Sequence, residues 1–290
     1  MPERVLIVAP QALREGLERF FGARAEVLSL AREDAVTRQA LVIEDERVLW
    51  HGADVIAGTL GAVVLDSGFM WPLPRLDPTP EQWREHAGRF DDWLRDERET
   101  ASLWYSLLEI LNDRLPRCVN PQRAFQHAAL KPAAMAALER VGVPLPPRLT
   151  SNDAEAVEAF AAAAGELLWL PLSPELGEAA QWLEREAIPE LPLTEEPVRL
   201  QRLDSREELT VIGVEGTVMA GAGDPPEEVT TALAVLQRTL AMPLVAASFR
   251  QAGGRWRLSD FSPAPALDAL PGEQCDSVLT AVWDALRRRT

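Results

Sequence analysis

Lysine is almost missing from this chain. Lys131 is the only one, and every other member of the 29 basic residues is an arginine, so chemistry that needs two lysines is excluded. Cysteine is scarce. Cys118 and Cys275 lie far apart in no metal-type spacing, which reads as free thiols in a reduced, cytoplasmic setting. No stretch approaches the roughly 20 apolar residues of a membrane span. Residues 1–10 carry no long apolar run behind a basic segment, so no signal peptide is expected. Positive charge is in deficit as well: the net charge of -16 repels nucleic-acid phosphates and anionic lipid, and neither nucleic acid nor membrane is expected as a partner. No P-loop and no G-x-S-x-G element occurs. His51, His86 and His127 are scattered without metal-ligand spacing. Cys118 with His127 reads as a buried structural thiol before it reads as a nucleophile–base pair.

What is present is an ordinary globular composition, 47% hydrophobic and 26% charged over 290 residues, enough for two domains or one with clear lobes. The pattern predicts a strand at 4–8, a helix at 11–21 with Leu13, Leu17 and Phe20 on one face, and a strand at 25–30. That opening suggests a small parallel sheet. Its first turn, Ala9-Pro10-Gln11, lacks the glycines of a dinucleotide site. A hairpin at 41–43 and 48–51 and a buried strand at 61–65 follow. Residues 71–80 hold four prolines and read as a loop. Residues 81–115 read as mostly helical, with Trp104, Leu107, Leu108 and Leu111 among the core positions and the charge run at 91–99 as a solvated face.

A boundary falls at 116–120. Pro132 opens a helix that Gly142 and Pro144 end. Asn152 is the expected cap of the next helix, with Glu155 as its capping-box partner. A strand is predicted at 167–172, and 173–197 is rich in proline and glutamate. A hairpin at 208–213 and 217–220 comes next. A helix from about 226 then places Val229, Leu233, Leu236 and Leu240 on one stripe. A second hairpin, 244–250 with 255–261, turns at Ala252-Gly253-Gly254, and a helix at 275–289 closes the chain.

The order Cys118-Val119-Asn120-Pro121, Lys131, Gly142-Val143-Pro144-Leu145-Pro146, Thr150-Ser151-Asn152-Asp153 resembles the ATP-grasp superfamily, in particular the RimK-type enzymes that mature ribosomal peptides, the graspetide (microviridin-type) synthetases. The resemblance covers about residues 90–270. It implies an α/β pre-grasp domain at 1–117 followed by two facing α+β lobes, at 118–195 and 196–290. It also implies carboxylate activation by ATP, with cations around the triphosphate and carboxylates holding Mg²⁺.

Carried over position by position, the resemblance makes Lys131 the first phosphate-contacting lysine. From the sequence alone it reads equally as a solvated surface lysine. Leu170 takes the place of the second lysine, and the lid 173–177 has one glycine where a phosphate-covering loop needs several. Gln201 matches the hinge residue near adenine, and Glu208 reverses the charge of an arginine. In the last hairpin, Ser248 is expected opposite Leu258. That register puts Ser248, Arg250, Leu258, Asp260 and Ser262 on one face. Ser248 stands for the family's aspartate, and Asp260 and Ser262 stand for the glutamate and asparagine of the metal site. From the sequence alone Asp260 also reads as an ordinary strand-end carboxylate.

Lys131, Gln201 and Arg250 are thus the candidates for a vestigial nucleotide cleft, and Asp260 and Ser262 for a vestigial Mg site. The joint losses favour a degenerate ATP-grasp scaffold that binds a peptide or protein partner, with a homodimer allowed and no cofactor expected. The alternative is an active, divergent carboxylate–amine or carboxylate–hydroxyl ligase that uses ATP and Mg, with arginines in place of lysine.

Overall fold

The computed structural model describes residues 3–30, 41–44, 47–66, 90–172, 180–191, 193, 197–221 and 223–288. The proline loop predicted at 71–80, and the start of the helix predicted at 81–115, lie outside those residues. The chain divides into two compact units, Met1–Gln122 with Trp283–Thr290, and Arg123–Val282.

The first unit grows from four short apolar strands. Strands β1 (Arg4–Val8), β2 (Glu26–Leu30), β6 (Thr59–Val64) and β7 (Cys118–Val119) form a parallel sheet in the order β2-β1-β6-β7. Val5 to Val8 and Ala62 to Val64 are buried, as strands covered on both faces require. Helix α1 (Gln11–Gly22) joins the first pair and buries Leu17 and Phe21. Phe20, expected on that face, is only half-buried, because the four-residue step from Leu17 reaches Phe21. A small antiparallel sheet of β3 (Leu41–Glu44), β4 (Arg47–Trp50) and β5 (Ala53–Asp54) contains the expected hairpin. Helix α2 (Phe90–Arg114) buries Trp104, Leu107, Leu108 and Leu111.

The second unit is α+β. After α3 (Gln122–Ala129), helix α4 (Lys131–Arg140) has Pro132 in its first turn, where a missing N–H costs nothing. It ends at Gly142, whose φ of 87° permits a Schellman closure: Val143 N donates to Leu138 O at 3.0 Å. Sheet one of this unit runs β10 (Gln181–Leu183), β9 (Glu166–Leu170), β11 (Val198–Leu203), β8 (Arg148–Ser151), all antiparallel. Helix α5 (Ala154–Ala162) packs on it through Val157 and Ala161, with Leu167, Ile188, Val198 and Leu200. Its cap is Asp153, not Asn152. The Asp153 carboxylate accepts from Glu155 N and Ala156 N, so the chain enters the helix one residue later than expected.

Sheet two runs β13 (Thr217–Gly221), β12 (Glu208–Val214), β14 (Leu244–Gln251), β15 (Trp256–Ser262), also antiparallel. Helix α6 (Glu227–Leu240) buries its expected stripe of Val229, Leu233, Leu236 and Leu240. It lies so close that a Cβ on Gly213 would come within 2.6 Å of Leu233 Cδ2. Its one buried amide, Gln237, is satisfied by Gly213 O, Pro243 O and Gly216 N, as burial demands. Helix α7 (Gly272–Arg287) closes the described chain.

The β14–β15 register differs from the expected one. Ser248 pairs with Asp260 and Phe249 with Leu258, so Ser259 is an extra residue on β15. This β-bulge removes Leu258 from the face of Ser248 and Asp260 and sends it into the core, fully buried. Strand alternation without a bulge therefore put Leu258 on the wrong face.

Candidate functional site

The two sheets of the second unit meet along β11 and β15. On β11, Val198 and Leu200 face α5, so the alternating positions Arg199 and Gln201 face the other way. Both are buried polar residues, at 3% and 1% exposure, and each must find partners. Gln201 donates Nε2 to Ser259 O at 2.7 Å and accepts from Ser259 Oγ at 2.6 Å. The bulged residue is thus the one that the glutamine grips.

Arg199 donates Nη2 to Ser259 O at 3.2 Å and to Asp260 Oδ1 at 3.1 Å, and Nη1 to Pro171 O at 3.4 Å. Lys131 reaches the same carboxylate oxygen, with Nζ 2.9 Å from Asp260 Oδ1. It also donates to Phe261 O and sits 3.8 Å from the centroid of the Phe261 ring. Lys131 is 1% exposed. Burial pulls its ammonium below the ordinary lysine value, Asp260 opposes that pull, and Arg199 adds to it. Burial alone would raise the Asp260 carboxyl. The Lys131 and Arg199 cations outweigh it and hold the carboxyl below its usual range.

Beside this cluster the sheet junction is apolar. Leu168, Leu170, Leu203 and Ala252 form a buried group, with Trp182 packed against it. The Arg250 guanidinium lies 5.1 Å from the Trp182 ring centroid and that of Arg206 5.4 Å. Arg250 is held by Glu208 Oε2 at 2.5 Å and by Arg206 O at 3.4 Å. Thr210 and Ser248, directly paired, share a hydrogen bond at 3.1 Å. Ser262 turns into its own loop, accepting from Ala264 N at 3.2 Å.

No protein-family model matches this chain, and no curated protein matches it. Solved structures do. The ATP-grasp ligase PsnB, complexed with precursor peptide PsnA2 and AMPPNP, is similar with a TM-score of 0.80 at 16% identity, over 98% of this chain and 97% of PsnB. The macrocyclase MdnC from Microcystis aeruginosa MRC, bound with precursor peptide MdnA, gives 0.68 at 15% identity, over 96% of this chain and 98% of that one. A RimK domain ATP-grasp protein from Sphaerobacter thermophilus DSM 20745 gives 0.61 at 16%, over 98% and 99%. The chain has the ATP-grasp fold.

Within the ATP-grasp fold the five candidate residues divide. Lys131 and Asp260 are bonded to each other, and Gln201 adjoins them through Ser259. Lys131 is therefore not a solvated surface lysine. Arg250 is engaged instead with Glu208, and Ser262 with Ala264. Among the described residues no group of three or more His, Cys, Asp or Glu side chains could hold a metal ion. Cys118, pushed up to about 12 by burial and then by Glu109, is no thiolate at neutral pH. Two contributors were missed in the sequence, Arg199 and Trp182. The signal for Arg199 was there: in Val-Arg-Leu-Gln-Arg-Leu, Arg199 and Gln201 share one face of a strand, opposite the face of Val198 and Leu200.

Proposed function

We propose that this chain is a peptide-binding protein built on the ATP-grasp fold, in which an internal ion-pair cluster stands where a nucleotide would be held. In this reading it serves peptide modification as a scaffold and does not itself join a carboxylate to an amine. Residues 118–195 and 196–290 act as the two lobes, and 1–117 as the pre-grasp domain.

The observation that carries the reading is Asp260 Oδ1, which accepts from both Lys131 and Arg199. The cations that would meet a triphosphate and the carboxylate that would meet a metal neutralise one another. The residues do not fit magnesium–ATP. Leu170 is 3% exposed in an apolar cluster, Ser248 is bonded to Thr210, and Ser262 to its own loop. The peptide half of the reading draws on PsnB and MdnC, whose structures hold precursor peptides.

A second reading, an active divergent ligase, is favoured by one contact. Arg199 pairs directly with Leu170, so a guanidinium stands beside the position where the strand lacks a lysine. Calorimetric titration of the full-length chain with ATP and Mg²⁺ separates the two. The scaffold reading expects no heat of binding up to millimolar nucleotide. Micromolar binding, with an ATP analogue lying between Lys131 and Asp260 in a soaked crystal, would establish the ligase in its place.

A further inference from the structure

A second feature of the Arg123–Val282 unit is independent of what the sheet junction holds. A cavity of about 580 Å³ opens where the end of α4, the 145–148 segment, the end of β11 and the 252–253 turn come together. In a chain of net charge -16, three arginines line this one space: Arg148, Arg202 and Arg257.

Each guanidinium is fixed by the protein. Arg257 donates Nε to Ala252 O at 2.6 Å and Nη1 to Leu145 O at 3.1 Å. Arg202 lies 4.8 Å from the Phe160 ring centroid and donates Nη1 to Phe160 O at 3.1 Å. Arg148 is clamped on both oxygens of Glu139, at 2.6 and 3.4 Å. Among the described residues, nothing accepts from Arg257 Nη2 or from Nε and Nη2 of Arg202.

The two carboxylates on the wall are already engaged, Glu139 with Arg148, itself one of the lining arginines, and Asp204 with the β14–β15 turn. Gly254 N donates to Asp204 at 2.8 Å, and this bond with that of Gly253 N keeps its carboxyl below the usual value. Leu145, Pro146, Pro147 and Ala252 supply apolar wall.

Pre-oriented guanidinium forks with unfilled donors suit a planar anion, and the apolar wall suits an organic body attached to it. The volume falls within the roughly 300–1,000 Å³ of ligand pockets. We propose that this cavity binds an organic carboxylate, its oxygens on Arg202 and Arg257. The carboxylate comes either from an acidic peptide side chain or from a free dicarboxylic acid.

The test is calorimetry on the full-length chain with three probes: a blocked tetrapeptide with one glutamate, the same peptide with glutamine, and succinate. The glutamate peptide or succinate binds at least tenfold more tightly than the glutamine peptide, and the tighter of the two identifies the source. Arg202→Gln weakens binding tenfold or more. Arg202→Lys, which keeps stem and charge but loses the fork, falls between. Thermal melts of both variants establish that they are folded, and Arg202→Lys carries the test if Arg202→Gln is not. Binding of neither carboxylate, equal binding of the glutamate and glutamine peptides, or full affinity in a folded Arg202 variant overturns the proposal.

Discussion

Arg199 stands directly opposite Leu170 in the pairing of β11 with β9. One strand presents a buried cation and its neighbour a buried leucine, on the face that looks toward β15. The leucine belongs to an apolar cluster with Leu168, Leu203 and Ala252. The arginine reaches past it to Asp260.

That pairing decides what Leu170→Lys should do. The new ammonium would enter the apolar cluster beside an arginine, with Asp260 Oδ1 already shared by two cations. A loss of about 3 kcal/mol or more is expected, the cost of an uncompensated buried charge. No ATP affinity is expected in return. Urea denaturation and a nucleotide titration check the two halves, and a variant as stable as the parent would contradict the first.

Asp260→Asn removes the one carboxylate among the described residues that pairs with Lys131 and Arg199, which are 1% and 3% exposed. Breaking a buried ion pair from one side costs about 3–5 kcal/mol, because the partner charges stay behind. Chemical denaturation at neutral pH should read a loss in that range. A loss under about 1 kcal/mol, the value of a surface pair, would mean that solvent reaches the cluster freely.

The same cluster has a pH signature. The folded Asp260 carboxyl lies below its ordinary 3.8, so its contribution is complete above that value and is lost as pH falls through the lower folded one. Asp260→Asn lacks this loss. The stability gap between the two proteins should therefore narrow below about pH 3.8 and stay constant from pH 5 to 7. Lys131 has the opposite limb. Its folded value lies below 10.5, the unfolded chain holds the proton longer, and its burial penalty eases as pH rises toward 10.5. A gap that widens in acid would contradict the assignment.

Glu208→Arg, the substitution that would supply the charge the ATP-grasp resemblance leads one to expect on β12, faces Arg250 across the ladder. It exchanges an ion pair for like charges directly opposite, an expected loss of about 1 kcal/mol. Trp182, stacked by Arg250, should report the change as a shift in fluorescence. The two readouts should move together.

Much of the fold was legible because its signals are local. The stripe of Val229, Leu233, Leu236 and Leu240, the glycine that ends α4, and the turns at 215–216 and 252–254 are all set by residues within a few positions of one another. The junction of the sheets was less legible. Pairing Lys131 with Asp260 joins positions 129 residues apart, and no periodicity reports that. The helix cap shifted by one residue because the side-chain oxygens of Asn152 and Asp153 are equally good acceptors in sequence, and only the backbone entering at Asp153 chooses. Arg199 was missed for a different reason. No strand is predicted at 198–203 from the sequence, so the two-residue spacing of Arg199 from Gln201, which puts both on the face that needs partners, went unused.

The bulge at Ser259 also puts the last hairpin out of phase with itself. Counting outward from the turn, the residue of β15 that would meet Ser248 is one position short of Asp260. Counting back from Pro263 reaches Asp260 directly. Any comparison of this chain with a hairpin lacking the extra residue must place its one-residue gap at Ser259. A gap left in the turn instead would keep Asp260 in place but carry Leu258 onto its face, exchanging inward and outward for every β15 residue between the turn and Ser259.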